Sequence, residues 1–354
     1  MQKATYQVLG VMSGTSLDGI DLAHVTLEFD EHWQYQLHTR ETVPYPNSWQ
    51  ARLKDLVTHS KAELLETDIA YTLYLSEVIK TFIEKHQLNQ LDLVSSHGHT
   101  ALHQPEKGLT YQIGNRSELA TLTGVKTVCD FRVQDVHLGG QGAPLVPIGD
   151  RLLFSDYDFC LNLGGFANIS MEQHGNRLAY DICPVNIVLN RYANKLGKSY
   201  DENGQFASHG NVDVRLLKQL SSLPFYQALP PKSLGLEWVE NTIEPLLKAS
   251  GLKPEAILAT FTHHVAEQIA QVIGSNSHQK VLVTGGGGYN SYLMKLLSSK
   301  SDTKFVLPDS KLLEFKEALV FALLGVLKVR GEINCLSSVT GASENHSSGN
   351  VFFP

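Results

Sequence analysis

The sequence is poor in charged residues and in cysteine. Only 18% of its 354 residues are charged, and its four cysteines are far apart and form no Cys-x-x-Cys pair. They are Cys129, Cys160, Cys183 and Cys335. Disulfide frameworks and zinc sites are usually announced by numerous or closely spaced cysteines. The pattern therefore predicts neither, and it indicates buried thiols in a reducing compartment.

Long apolar runs and an excess of positive charge are also missing. The most apolar stretch, residues 318–327, is too short to span a bilayer. The N-terminal residues lack the long apolar core of a secretory signal. The net charge of −7 argues against general nucleic-acid binding, which needs a basic face. We therefore expect a cytoplasmic protein whose partners include neither membrane nor nucleic acid, while a homodimer stays open.

Strand-like and helix-like segments alternate along the chain, which is typical of the α/β class. The length of 354 residues predicts two domains around a cleft. Ser60 and Glu63 have the spacing of a capping box before a helix, and Ser310 is the expected cap of a last helix that Gly331 ends. Strands followed by glycine turns recur in both halves and suggest a duplicated architecture. The predicted strands cover residues 6–11, 20–29, 91–95, 125–129, 159–163 and 281–284.

The turn between the first two predicted strands is a candidate phosphate site. Residues 10–21 read Gly-Val-Met-Ser-Gly-Thr-Ser-Leu-Asp-Gly-Ile-Asp, so the turn offers backbone N–H groups and hydroxyls to an anion. Asp18 and Asp21 are carboxylates that suit a hydrated Mg²⁺. The alternative is a plain β-hairpin in which Asp18-Gly19 bends the chain. No Gly-x-x-x-x-Gly-Lys-Ser/Thr pattern is present, so this is not a P-loop.

Two further glycine turns follow predicted strands. The first, Asn162-Leu163-Gly164-Gly165, is a weak signal by itself. In the second, a strand ends in Gly285–Gly288 and a helical pattern starts near Tyr289. Bare backbone at a helix N-terminus suits a nucleotide, and a purely structural turn rarely needs four glycines. The second turn therefore favours nucleotide binding.

Together the three turns resemble the phosphate-1, phosphate-2 and adenosine loops of the actin-like ATPase and sugar kinase superfamily. Longer strings resemble one family within it, the anhydro-N-acetylmuramic acid kinases, nearly from end to end. Those strings are residues 10–21, Ser96-His97-Gly98-His99-Thr100, Gln112-Ile113-Gly114, Asp130-Phe131-Arg132, residues 139–147, residues 162–165, Pro230-Pro231-Lys232-Ser233 and Val339-Thr340-Gly341-Ala342.

The resemblance implies a fold and a set of cofactor contacts. The expected fold is a two-lobed, ribonuclease H-like sugar kinase with a central cleft that binds ATP. Residues 1–128 with 336–354 would form one lobe and residues 129–335 the other. Mg²⁺, held by Asp18 and Asp21, is expected because no P-loop lysine neutralises the phosphates. The implied cofactor residues are Gly14, Thr15, Ser16, Leu17, Asp18, Gly19, Ile20, Asp21, Gly164, Gly165, Gly285, Gly286, Gly287 and Asn290.

The family's reaction implies what the sugar side must do. The substrate carries an internal ether between its anomeric carbon and its 6-oxygen. Water attacks the anomeric carbon, the ether opens, and the 6-oxygen takes the γ-phosphoryl group of ATP, which gives N-acetylmuramic acid 6-phosphate in cell-wall recycling. This needs a base for the water and charge stabilisation at the phosphate. The chemistry resembles half of an inverting glycosidase.

The resemblance places the catalytic base at Asp181. Pro184 and the residues after it predict a helix start, so a capping role is the alternative reading of Asp181. The two roles are compatible, because a helix N-terminus would keep the carboxylate ionised. The family pattern here is Asp-Thr-Gly-Pro-Gly-Asn with a further Asp four residues on. This chain departs from the family at His99, Ile182, Cys183, Val185, Asn190, Leu234 and Leu236.

Glu317 is the second catalytic candidate, because a carboxylate on a mostly apolar helix is costly unless it has a partner or a function. The alternative is that Glu314 and Glu317 form one exposed edge. For Arg132 we expect either the lactyl carboxylate of the substrate or an ion pair with Asp130 or Asp135. For His97 the alternative is a turn histidine bonded to backbone. The implied substrate residues are His97, Thr100, Arg132, Gln141 and Asn186.

Two other functions stay open at this point. One is a sugar kinase of the same fold that phosphorylates an ordinary hydroxyl of another amino or anhydro sugar. The other is an actin-like or chaperone-like ATPase, which predicts an added protein-binding domain or a polymerising surface. The sequence indicates no such domain.

Overall fold

The computed structural model describes residues 3–14 and 17–354. The strands, in chain order, are β1 (Thr5–Ser13), β2 (Gly19–Asp30), β3 (His32–Pro44), β4 (Leu93–Ser96), β5 (His99–Gln104), β6 (Leu109–Ile113), β7 (Thr127–Cys129), β8 (Phe159–Leu163), β9 (Phe166–Gln173), β10 (Asn176–Pro184), β11 (Lys280–Thr284), β12 (Lys304–Val306) and β13 (Asn350–Phe352).

The helices vary in length from one turn to seven. They are α1 (Asn47–Lys54), α2 (Lys61–Lys85), α3 (Glu118–Thr123), α4 (Val133–His137), α5 (Pro147–Leu153), α6 (Asn186–Asn194), α7 (Gln205–His209), α8 (Val214–Ser221), α9 (Pro224–Gln227), α10 (Leu236–Trp238), α11 (Glu244–Ala249), α12 (Pro254–Ile273), α13 (Ser291–Lys300), α14 (Ser310–Arg330) and α15 (Ser337–Thr340). Short 3₁₀ segments include Glu202–Gly204 and Gly286–Tyr289. Across the described residues, no helix combines the length and the apolar character needed to cross a bilayer.

The chain divides into two compact units. Unit 1 comprises Met1–Leu153 and Phe315–Pro354, and unit 2 comprises Phe154–Glu314. The second boundary falls inside α14, at the non-helical residue Phe315 (φ −109°, ψ 15°). The sequence had placed the boundaries at 128/129 and 335/336, whereas α4, α5 and most of α14 belong to unit 1. The amino-acid composition does not change at these helices, so the sequence does not show which unit they pack against.

Unit 1 is built on a six-stranded mixed sheet of order β13-β7-β4-β1-β2-β3. β1, β2 and β3 form an antiparallel meander, and β4 and β7 run parallel to β1 and to each other. Leu9 and Val11 of β1 pack in a buried cluster with Tyr71 and Leu75 of α2. Because side chains alternate along a strand, Gly10 points to the other face of the sheet, where α14 lies.

Gly10 marks a very close approach of β1 and α14. A Cβ atom at this position would lie 2.0 Å from the carbonyl oxygen of Ala318. Only glycine allows the strand and the helix backbone to come this near. Glu317 directly precedes Ala318, so the close packing of α14 on β1 also sets the distance of Glu317 from the sheet.

Unit 2 repeats the topology of unit 1. Its sheet has the order β10-β9-β8-β11-β12, with two antiparallel pairs followed by two parallel pairs. The order β3-β2-β1-β4-β7 in unit 1 has the same orientations. The duplication suggested by the sequence is therefore present, and the β8–β9 turn at Gly164-Gly165 corresponds to the β1–β2 turn. The main core of unit 2 joins these strands to α6, α8 and α12.

Several local predictions are confirmed and others are wrong. The α/β class, the capping box of Ser60 and Glu63, and a helix end at Gly331, where α14 stops, are all observed. A further short helix, α15, follows it. The cap of α14 is Asp309, whose carboxylate accepts the N–H of Leu312 (2.9 Å), so the prediction for Ser310 is wrong. The helix near Tyr289 begins only at Ser291, after a 3₁₀ turn. The sequence did not predict β3, β5, β6, β9, β10, β12 or β13.

Candidate active site

The β1–β2 turn closes a regular hairpin in unit 1. Ser13 pairs with Ile20 at its end, and Leu17 adopts a left-handed conformation (φ 61°). Asp18 is exposed, while Asp21 is half-buried and accepts a hydrogen bond from the Thr42 hydroxyl (2.5 Å). Of the predicted cofactor residues in this turn, Gly14, Leu17, Asp18, Gly19, Ile20 and Asp21 are described, and Thr15 and Ser16 lie outside the described residues.

A buried polar network that the sequence did not reveal stands behind the hairpin. The Ser13 hydroxyl lies 2.8 Å from Nδ1 of His99 and 2.6 Å from the Tyr45 hydroxyl, which in turn lies 2.6 Å from that of Tyr71. Burial lowers the pKa of His99 to about 4, so the imidazole is neutral at pH 7. Burial also raises the pKa of Tyr45 to about 12. The network fixes the start of the turn with neutral groups.

His97 is held in one orientation by two hydrogen bonds. Its Nδ1 donates to the carbonyl oxygen of Gly98 (2.9 Å), and its Nε2 accepts from Nε of Arg132 (3.0 Å). Burial, and then the charge of Arg132, hold the pKa of His97 well below its usual range. The bonds assign the neutral tautomer that carries hydrogen on Nδ1. The backbone bond expected for a turn histidine is present, together with a side-chain partner that sequence alone did not name.

Arg132 bridges two segments of unit 1. Besides its bond to His97, its Nη1 donates to the carbonyl oxygen of Gly142 (2.6 Å). Burial lowers the pKa of Arg132 to about 10, while the nearby carboxylate of Glu317 acts in the opposite direction. Neither of these two hydrogen bonds goes to Asp130 or Asp135, the acidic partners that the sequence suggested. Asp130 instead accepts a bond from the Asn350 amide (2.9 Å).

Glu317 lies on α14 with its side chain open to solvent. Desolvation by the surrounding protein raises its pKa, Arg132 lowers it, and Asp21 raises it. Because solvent reaches the side chain, the desolvation effect is weakened. Glu314 belongs to unit 2, where it accepts a hydrogen bond from the Tyr289 hydroxyl (2.6 Å). Both acids are exposed, as the alternative of an exposed edge predicts, but Glu314 contacts Tyr289 whereas Glu317 lies near Arg132 and Asp21.

Two more predicted substrate residues lie in unit 1. Gln141 has an exposed side chain, and its backbone N–H donates to the carbonyl oxygen of Thr340 (2.8 Å). Thr100 is half-buried on β5, opposite Gln112 of β6. The sequence motifs around residues 97, 132, 141 and 340 therefore lie in the same unit, although they are far apart in the sequence.

Asp181 lies on β10 in unit 2, not at the start of a helix. Its Oδ2 accepts the backbone N–H of Leu234 (2.8 Å), and its own N–H donates to the carbonyl oxygen of Lys232 (3.0 Å). α6 begins only at Asn186, so the predicted capping role and the predicted helix-dipole effect are both wrong. Burial raises the pKa of Asp181, and the Leu234 N–H lowers it. A raised pKa suits a carboxylate that must accept a proton.

The glycine turns of unit 2 are in direct contact. β8 and β11 are parallel neighbours, so Gly164-Gly165 and Gly285–Gly287 follow adjacent strand ends. A Cβ atom on Gly287 would lie 2.8 Å from the Leu163 Cβ and 2.9 Å from the Leu163 carbonyl oxygen. Asn186 joins them, since its Nδ2 donates to that carbonyl (3.2 Å) and its backbone N–H to Gly164 (3.3 Å). Bare backbone therefore forms a continuous surface at this edge of the sheet.

A pocket of about 500 Å³ opens beside these turns. Its volume is typical of small-ligand sites, which span roughly 300–1,000 Å³. Asn290 lines it and also caps α13 by accepting the N–H of Leu293 (3.0 Å). The sequence predicted four of its residues, Asn186, Gly286, Gly287 and Asn290. It missed Leu189, Asn190, Tyr200, Asp201, Glu202, Asn203 and Tyr289.

One of the pocket residues that the sequence analysis missed, Asn203, belongs to a recognisable turn motif. Asn203 and Gly204 form a turn in which both residues have positive φ (56° and 70°). Asparagine followed by glycine is a common choice for such turns. The turn could have been predicted, but its place beside Gly286 could not.

Comparison with known proteins agrees with these features. The family model described as anhydro-N-acetylmuramic acid kinase matches residues 6–354. A curated protein of that name from Pseudomonas fluorescens (strain Pf0-1) is 35% identical over 94% of this chain and 96% of its own length. Another, from Vibrio cholerae, is 32% identical over 98% of both.

Solved structures are more distant. The activator of 2-hydroxyisocaproyl-CoA dehydratase from Clostridium difficile is 15% identical with a TM-score of 0.45, over 92% of this chain and 96% of that one. A ROK family glucokinase from Streptomyces griseus is 11% identical with a TM-score of 0.42, over 90% and 99%. Since the family model and the curated relatives span nearly the whole chain, the protein belongs to the anhydro-N-acetylmuramic acid kinase family.

Proposed function

We propose that the protein uses ATP to phosphorylate anhydro-N-acetylmuramic acid on O6 while water opens its 1,6-anhydro ring. The product would be N-acetylmuramic acid 6-phosphate, an intermediate of cell-wall recycling. The observation that carries the proposal is Asp181, a half-buried carboxylate with a raised pKa in the same unit as the glycine turns and the pocket. A nucleotide site alone would fit many kinases, whereas a water-activating base is what ring opening requires.

The residues of unit 2 would bind the nucleotide and supply the base. The pocket lined by Asn186, Gly286, Gly287 and Asn290 has the size for an adenosine group. The N–H groups of the glycine turns suit phosphate oxygens. Asp181 would take a proton from water as the water oxygen bonds to the anomeric carbon. The bond between that carbon and O6 breaks, and O6 takes the γ-phosphoryl group while ADP leaves.

The residues of unit 1 would bind the sugar and the terminal phosphates. The Arg132 guanidinium, positioned by His97 and Gly142, suits the lactyl carboxylate. Glu317 lies close enough to Arg132 to perturb its pKa and would face the same substrate. Thr100 and Gln141, also of unit 1, would add hydrogen bonds to the sugar. Asn186, which the family resemblance implies as a substrate residue, lines the pocket of unit 2 and would contact the nucleotide instead.

The carboxylates at the β1–β2 turn fit a magnesium ion. Asp18 is exposed and Asp21 half-buried, and carboxylate oxygens with retained waters are the usual surroundings of Mg²⁺. When bound there, Mg²⁺ would neutralise phosphate charge. We therefore infer that ATP is used as its magnesium complex.

Heavy-oxygen water provides the test of the ring-opening reaction. We expect the enzyme, with ATP and the anhydro sugar, to place solvent oxygen on the anomeric carbon and none in the transferred phosphate. Mass spectrometry of the product after a short reaction measures this. Product incubated alone in the same water controls for spontaneous exchange. Label at the background level, or equal turnover of sugars without the anhydro ring, would favour the ordinary-hydroxyl kinase instead.

A methyl group at Gly287 is expected to weaken ATP binding. In Gly287→Ala the new Cβ would collide with Leu163, so the turn must move away from β8 and deform the pocket. KM for ATP should rise at least several-fold, while KM for the sugar changes less. Gly175→Ala in the β9–β10 turn is the control, because nothing lies within 4 Å of its Cβ and it does not line the pocket. Its φ of 80° makes alanine cost some stability there, but KM for ATP should not change. Unchanged ATP kinetics in Gly287→Ala would contradict the assignment of this turn.

A further inference from the structure

Three side chains with metal-ligating atoms meet in the interior of unit 1. They are Asp135 of α4, Cys335 after α14, and His346 in the C-terminal segment, and all three are buried. Their ligand atoms lie within 4.8 Å of one another. Oδ1 of Asp135 lies 3.0 Å from Sγ of Cys335 and 3.5 Å from Nε2 of His346. None of them belongs to the candidate active site described above.

His346 supplies an independent sign of a ligand at this place. It is 6% exposed, and its Nδ1 donates to the carbonyl oxygen of Glu344 (3.0 Å). The other ring nitrogen, Nε2, is buried and has no hydrogen-bond partner, although it lies 3.5 Å from Oδ1 of Asp135. Buried polar atoms normally have a partner, and a cation between Nε2 and Oδ1 would provide one.

The outer contacts also match those of a metal site. A metal-bound histidine usually donates its second ring N–H to a carbonyl or carboxylate, as His346 does here. Ligating carboxylates are themselves hydrogen-bonded, and Oδ2 of Asp135 accepts the N–H of Gly142 (2.6 Å). The Thr340 hydroxyl lies 2.7 Å from Oδ1 and borders the cluster.

We propose that Asp135, Cys335 and His346 bind a structural zinc ion, with the Thr340 hydroxyl or a water as the fourth ligand. Sulfur, imidazole and carboxylate together suit Zn²⁺, whereas Mg²⁺ and Ca²⁺ prefer oxygen alone. On binding, the Cys335 thiol releases its proton to solvent and the thiolate bonds to the metal. The metal undergoes no redox change.

The site would tie together segments that support the sugar side of unit 1. Asp135 holds the loop of Gly142, whose carbonyl accepts from Arg132. Backbone bonds already join this loop to the C-terminal segment, from Gln141 to Thr340 (2.8 Å) and from Ser343 to Leu138 (3.0 Å). Zinc would therefore stabilise unit 1 and fix the loop that positions Arg132 and Gln141.

Cobalt and zinc titration of the full chain tests the proposal. After removal of metals with a chelator, Co²⁺ should produce the near-ultraviolet charge-transfer band of a cobalt–thiolate bond. Zn²⁺ should abolish that band and raise the melting temperature by an amount that grows with the logarithm of free zinc. Cys335→Ser should lose the band, and His346→Gln should weaken or lose the zinc-dependent shift. Cys129→Ser, which removes another buried cysteine of unit 1, should keep both.

Wild-type protein decides the question even if a variant does not fold. A wild-type chain that shows neither the cobalt band nor a zinc-dependent melting temperature would overturn the proposal. The same conclusion follows if Cys335→Ser keeps the full band. If Cys335→Ser is unfolded, His346→Gln retains the cysteine and tests the site through the loss of zinc-dependent stabilisation.

Discussion

Asp181→Asn is expected to lower the turnover number by about 10²–10⁴-fold, the typical contribution of a general base. Asparagine keeps the size of the side chain, and its oxygen can still accept the N–H of Leu234. It cannot accept a proton from water. Turnover of the anhydro sugar should therefore collapse, while the affinity for ATP, measured by calorimetry, changes little because the base acts on the sugar.

A second aspartate of unit 2 provides the matched control. Asp213 caps α8 by accepting the N–H of Leu216 (2.8 Å). Because asparagine caps a helix about as well as aspartate, Asp213→Asn should remain close to wild type in both stability and turnover. If Asp181→Asn folds normally and retains near-normal turnover, Asp181 is not the base, and Glu317 becomes the next candidate.

Gly10→Ala is expected to destabilise unit 1 strongly. A methyl group in a strand is usually harmless or mildly stabilising. Here the new Cβ would lie only 2.0 Å from the carbonyl oxygen of Ala318, so β1 and α14 must move apart. Overpacking in a tight core typically costs about 1–3 kcal/mol. We expect a loss of about 3 kcal/mol, because the atoms nearest to the new methyl group are the backbone O and C of Ala318, which cannot rotate away.

Thermal and urea melts measure this loss, with Gly286→Ala as the comparison. That variant adds the same methyl group where no atom lies within 4 Å, and its melting temperature should stay near that of wild type. A Gly10→Ala protein as stable as wild type would mean that the strand and the helix do not approach as closely as the structure places them.

The glycine turns show how far local sequence could go. The turns at Gly164-Gly165 and Gly285–Gly288 could be located because each follows a short β-branched or apolar run. The phosphate role of the first turn came from the family resemblance, whereas the four glycines of the second favoured a nucleotide by themselves. Their contact with each other depends on the parallel pairing of β8 and β11, which are separated by more than a hundred residues. The pocket residues 200–203 were missed for the same reason. The roles of the individual site residues stay predictions, as do the cytoplasmic location and the homodimer.

Asp181 shows where local sequence misled. Pro184 followed by a helical pattern predicts a helix start, and an aspartate before it predicts a cap. The pairing of β10 with β9 keeps the chain extended to Pro184. Strand pairing thus overrode a local helix signal, and the carboxylate found its partner in Leu234, more than fifty residues away.

By itself, the sequence determined the α/β class, the family, the capping box before α2 and the glycine turns. Each can be recognised from short strings of neighbouring residues, without knowing which strings meet in the fold. The tertiary structure decided which residues share a unit, the bond between Arg132 and His97, and the meeting of Asp135, Cys335 and His346. Those contacts join segments up to about two hundred residues apart. No local pattern specifies them, because they arise only when the strands pair and the helices pack.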